Sequence, residues 1–172
     1  MTLAAKSLLL IAVLGLAACN NPDRYGAGGA GGAGGAGGID TTGLGDPNNP
    51  TSIAYFNQTV GDRVLFANDQ STLSPEGRGI LTAQANWLNQ NAGYAAIIEG
   101  HADEKGTREY NLALGARRAA AVQNFLISQG VAANRLRTIS YGKERPLEVC
   151  SEEACYAKNR RAVTVLSAGA GV

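Results

Sequence analysis

Apolar and polar positions fall into blocks along the chain, and each block predicts an element. The first differs from the rest: a lone cation, Lys6, precedes an apolar run over residues 8–16 and the small residues Ala17 and Ala18. Crossing a hydrocarbon core takes roughly 20 apolar residues, so this shorter run predicts a secretion signal over residues 1–18 rather than a membrane span. Residues 26–38, GAGGAGGAGGAGG, carry no apolar periodicity. Val64-Leu65-Phe66, bounded by Asp62 and Asn68, predicts a first strand. Ser74 followed by Pro75 predicts a capped helix start, and Ile80, Leu81, Gln84, Trp87 and Leu88 recur at helical spacing until residues 91–93 end it. Trp87 falls on the apolar side and is expected in the core. A second strand is predicted over 95–99, followed by a polar loop over 101–106. Thr107 then caps a long helix over 108–129 that Gly130 closes. A third strand over 137–141, a short helix over 152–158 and a fourth strand over 162–167 complete the chain. The order β-α-β-α-β-(α)-β predicts an α/β sandwich with helices on one face of a single sheet.

The long helix carries the sharpest physical clue. At 100° per residue, Leu112, Ala119, Val122, Phe125 and Leu126 form one apolar face, with Arg117, Gln123, Asn124 and Ser128 opposite. Asn111 and Arg118 break the pattern, because both lie on or beside the apolar stripe with Leu114 between them. A cation turned toward packed apolar groups needs a partner, since an unpaired buried charge is costly. Asp103 is the nearest candidate in sequence, and an Arg118–Asp103 bridge is the structural expectation. Arg117 is expected in solvent.

Composition narrows the function classes. The 172 residues include 23 glycines and 15 basic against 14 acidic side chains, for a net charge of +1. That balance lacks the basic excess with which a nucleic-acid binder displaces counterions, so no nucleic-acid partner is expected. One His and three Cys, none in a Cys-x-x-Cys pair, leave no ligand set for a zinc cage, and no metal is expected.

Leu16-Ala17-Ala18-Cys19 resembles the lipobox of bacterial lipoproteins, which implies that Cys19 becomes the acylated N-terminus and anchors the chain by its lipid. Asn20 after the Cys, where Asp would resemble an inner-membrane retention signal, favours the outer membrane. Residues 19–50 then read as lipidated Cys plus Gly/Ala-rich tether, whose thirty or so residues would span about 30 Å root-mean-square. The domain proper is expected over 51–172. Export places the two remaining thiols, Cys150 and Cys155, where they oxidise, and a disulfide stapling a loop is expected.

Residues 99–119, EGHADEKGTREYNLALGARRA, resemble the signature of the OmpA-like peptidoglycan-binding domain family. Residues 140–146, SYGKERP, and 159–163, NRRAV, resemble later segments of that family in order and spacing. The resemblance covers about residues 60–167, and lipobox, tether and domain together are similar to its lipid-anchored members. It implies a single mixed sheet and non-covalent binding of the diaminopimelate-containing stem peptide of peptidoglycan. It also implies Asp103 and Arg118 as the residues that grip the ligand's ammonium and carboxylate. A zwitterion suits one carboxylate and one guanidinium. Asn111, Leu114 and Lys105 match surrounding positions, and Asp69 matches an aspartate after the first strand. Asn68 stands where the family has an aromatic, and Lys105 where Arg is common. The resemblance further implies TolB and other Tol proteins as partners at the outer membrane, and no cofactor.

A peptidoglycan hydrolase built on His101, Asp103 and Glu104 is the competing reading. One His with neighbouring acids is a poor metal set, however, and no Ser or Cys nucleophile pairs with that His. His101 is expected as a hydrogen-bonded loop residue at the rim of the site. A different OmpA-like anchor, a motor stator or porin tail, would need membrane-crossing segments that the sequence does not offer beyond its signal.

Overall fold

A computed structural model describes residues 43–169. The signal, Cys19 and the GAGG tract lie outside the described residues. The chain forms α1 (Ile53–Tyr55) running into a π-helical turn (Phe56–Gly61), then β1 (Arg63–Leu65), α2 (Pro75–Gln90) and β2 (Tyr94–His101). α3 (Arg108–Ser128), β3 (Leu136–Gly142), α4 (Glu153–Asn159) and β4 (Arg161–Ala168) follow. The strands make one mixed sheet in the order β1-β4-β2-β3. β4 runs antiparallel to both neighbours, and β2 and β3 are parallel.

Local chemistry sets the helix starts. The Ser74 hydroxyl accepts from the Gly77 N–H with Pro75 in the first turn, and the Thr107 hydroxyl accepts from the Tyr110 N–H. Ala96 and Ile98 of β2 and Ala162 and Leu166 of β4 join Leu81, Leu88, Ala119, Val122 and Leu126 in the core. Trp87 packs there between Phe56 and Tyr94, with ring centroids 5.0 and 5.1 Å away.

Three sequence expectations shift. The helical segment before β1 was not expected; Ile53, Phe56 and Val60 recur at helical spacing there and pack on the core, a short stripe that sequence reasoning missed. Leu112 is 49% exposed rather than core-facing, because it lies past β3, the edge strand, where no further strand covers it. Residues 43–50, assigned to the tether, engage the domain: Leu44 packs on the core, and the Pro50 carbonyl accepts from Trp87 Nε1 at 2.8 Å.

One glycine pair positions α3. A Cβ on Gly100 would collide with the Gly115 carbonyl of α3, so only glycine lets helix and strand approach this closely. That approach brings the first turns of α3 beside the C-terminal end of β2, where the candidate site lies. Cys150 and Cys155 are joined as a disulfide at the start of α4, their Cα atoms 6.0 Å apart. Among the described residues, no helix is long and apolar enough to cross a membrane.

Candidate functional site

Asn68, Asp69, Asp103, Lys105, Gly106, Tyr110, Asn111 and Leu114 line a cleft of about 280 Å³. The structure thus brings Asp69, Asp103, Lys105, Asn111 and Leu114 together from three places in the sequence. A larger groove of about 530 Å³ lies between α3 and the end of β3, lined by Arg108, Glu109, Leu112, Ser140, Tyr141 and Glu144. Its charged residues are all exposed. The smaller cleft holds the buried polar groups and is the candidate site.

Asp103 lies two residues past the end of β2 and is 6% exposed. Its Oδ1 accepts from the Lys105 N–H at 3.3 Å, and its Oδ2 accepts from Arg160 Nη1 at 3.2 Å. Arg160 is itself buried, and it also donates through Nε to the Phe66 carbonyl and through Nη2 to Glu153 Oε1 at 2.5 Å. Glu153 is held below the usual carboxylate range chiefly by that Arg160 bond. Asn111, 1% exposed, donates to the Lys105 carbonyl at 2.7 Å and so fixes the loop over the helix start. Lys143 Nζ donates to the Gly106 carbonyl at 2.7 Å and closes the same loop from the side of β3. Across the cleft, Asp69 sits in the left-handed region at φ 57°, a conformation Asp tolerates better than most residues. Its Oδ1 accepts from the Tyr110 hydroxyl, and this bond raises the Tyr110 pKa.

Arg118 is buried as its helical position requires, but the expected bridge to Asp103 is absent. Its Nε, Nη1 and Nη2 donate to the carbonyls of Gln70, His101 and Ala67 at 2.8, 2.7 and 3.2 Å. The reason is backbone accounting: β1 stops at Leu65 and β2 at His101, which leaves these carbonyls without strand partners. Arg118 is not among the lining residues; its guanidinium lies over the Phe66 ring, 5.2 Å from its centroid. Burial pulls its pKa down to about 10, with Arg160 adding to the shift and Asp103 and Asp69 opposing it.

His101 also departs from expectation. It ends β2 instead of belonging to the loop, is 1% exposed, and neither ring nitrogen has a hydrogen-bond partner. Its ring lies beside Tyr141 and Glu99 and does not line the cleft. Burial, with Arg161 and Arg145 nearby, lowers its pKa to about 4. Among the described residues, no group of three His, Cys, Asp or Glu side chains could hold a metal ion.

Sequence reasoning missed Arg160, Tyr110 and Glu153. Arg160 had a signal: in Asn159-Arg160-Arg161 at least one cation must turn inward where a buried strand begins. Tyr110, in the first turn of α3, supplies the aromatic wall that Asn68 does not.

A family model described as the OmpA family matches residues 65–160. The peptidoglycan-associated lipoprotein of Mesorhizobium japonicum is 58% identical over 122 residues, 71% of this chain and 72% of that protein. The one from Haemophilus influenzae is 40% identical over 159 residues, 92% of this chain and 95% of that protein. The crystal structure of the peptidoglycan-associated lipoprotein from Burkholderia pseudomallei superposes with a TM-score of 0.63 at 35% identity, covering 72% of this chain and 98% of that one. The C-terminal domain of Helicobacter pylori MotB shares the fold, with a TM-score of 0.59 at 23% identity over 63% of this chain and 86% of that one. The chain belongs to the OmpA family and, within it, to the peptidoglycan-associated lipoproteins.

Proposed function

We propose that the cleft binds the diaminopimelate-containing stem peptide of peptidoglycan without a covalent bond. On this reading the chain is an outer-membrane lipoprotein, held through lipid on Cys19, that ties the outer membrane to the wall. One observation carries it: two carboxylates, Asp69 and Asp103, line one cleft, while among the described residues the buried Arg118 guanidinium has no carboxylate within ion-pairing distance. The carboxylates suit a ligand ammonium. Three of the five N–H donors of Arg118 are spent on carbonyls, so its bonds hold the loop over 67–70 in place while its charge, not neutralised by an ion pair, favours a ligand carboxylate nearby. Leu114 and Tyr110 offer apolar surface to the ligand's aliphatic chain.

Binding, not hydrolysis, is the proposed activity. The cleft lacks a histidine, and the names of the relatives describe association with peptidoglycan. Membership among those relatives also supports TolB and other Tol proteins as partners in envelope integrity and division.

The test is co-sedimentation of the full chain in detergent with purified diaminopimelate-type sacculi. Asp103→Ala, checked for folding by circular dichroism, is expected to stay in the supernatant, while Arg117→Ala pellets like the parent. No wall fragments should be released. A folded Asp103→Ala chain that still pellets would sink the assignment.

A further inference from the structure

Lys105 raises a problem for a cleft that takes a ligand ammonium, because its own ammonium could reach the same carboxylates. Its backbone belongs to the site, donating to Asp103 and accepting from Asn111. Its side chain does not: Nζ lies 3.6 Å from Glu153 Oε2 and 4.4 Å from the centroid of the Tyr156 ring, and it forms no ion pair with Asp69 or Asp103. Both holding groups sit on α4. Glu153 is fixed in turn by Arg160 Nη2 at 2.5 Å, and the disulfide at Cys155 braces the same short helix.

We infer that Glu153 is a positioning residue that keeps the Lys105 ammonium drawn out of the cleft, so that the ligand's ammonium and not a tethered one meets Asp69 and Asp103. This rests on the wall-binding reading above. A tethered cation next to the site would compete at high effective concentration, so its restraint sets affinity without touching the ligand. Glu153 and Lys105 are more than half exposed, and the restraint is therefore modest. Releasing the exposed ion pair while the Tyr156 contact stays corresponds to a loss of about two- to fivefold.

The test is a double-mutant cycle on the full chain in detergent, with sacculus-binding isotherms for the parent, Glu153→Gln, Lys105→Gln and the double variant. Glu153→Gln is expected to bind about two- to fivefold more weakly. The double variant should bind as Lys105→Gln does, since nothing remains to restrain. A merely structural role for Glu153 predicts no such rescue, and a double variant as weak as Glu153→Gln would overturn the inference. So would a Glu153→Gln chain that binds like the parent. A parent chain that fails to pellet at all is the separate result that removes the wall-binding reading and this inference together.

Discussion

Buried polar side chains behave differently under substitution according to how each is satisfied. Arg118 ties three carbonyls from two segments, and truncation leaves those acceptors unpaired in a place water reaches poorly. Arg118→Ala should cost about 3 kcal/mol or more, whereas exposed Arg117→Ala should stay within about 0.5 kcal/mol. Urea unfolding of both variants measures the contrast, and equal effects would contradict the facing of α3. His101 is the reverse case, a ring with no partner to lose. Its folded pKa of about 4 lies below the ordinary 6.5, so between these values the unfolded chain binds the extra proton. The neutral form's contribution is present above about pH 6.5 and is lost as pH falls toward 4, on the order of 3 kcal/mol in all. His101→Leu should therefore flatten the pH dependence of stability across that window, measured by denaturant midpoints at pH 7 and pH 5 against the parent. An unchanged slope would mean that His101 is solvated in the folded chain.

At the scale of elements, what could be read in advance divides by how local its cause is. The starts of α2 and α3 were legible because Ser74 and Thr107 cap within three residues of themselves. Strand ends shifted by one or two residues, since pairing with distant partners decides them. The sequence placed Arg118 inside by helical phase alone but paired it with the wrong group, because its acceptors are carbonyls that no residue letter reveals. The fourfold role of Asn159, which bonds Glu104 Oε1, the Glu148 carbonyl and the N–H groups of Leu147 and Glu148, was equally invisible. Glycine gives the element-scale prediction, with opposite signs at two positions. Gly100→Ala drives a methyl into the Gly115 carbonyl and forces α3 off the sheet, costing about 3 kcal/mol and disturbing the cleft. Gly79 lies on the exposed side of α2 with open space where a Cβ would stand, so Gly79→Ala should stabilise by about 0.5 to 1 kcal/mol. Thermal melts of the two variants should move in opposite directions, and a destabilised Gly79→Ala chain would show that α2 is not helical there.

At the scale of the whole molecule, the domain begins earlier than the composition places it. Pro and Asn at residues 47–50 look like the end of a tether, yet this stretch is tied down residue by residue. The Asp46 carbonyl accepts from the Ser52 hydroxyl, the Asn49 carbonyl from the Ser52 N–H, and the Leu44 carbonyl from the Ala54 N–H. Trp87, 5% exposed, finds the acceptor for its indole N–H only in the Pro50 carbonyl. The stretch therefore serves as a strap across α2, and the domain includes residues 43–50. A chain beginning at residue 51 should fold but be less stable than one beginning at residue 43. The loss is one buried donor left unpaired plus the burial of Leu44, about 2 to 4 kcal/mol together. Urea midpoints of the two truncated chains give the difference, and Trp87 fluorescence should shift to the red in the shorter one as water replaces the Pro50 carbonyl. Equal midpoints with unshifted emission would show that residues 43–50 add nothing to the stability of the domain.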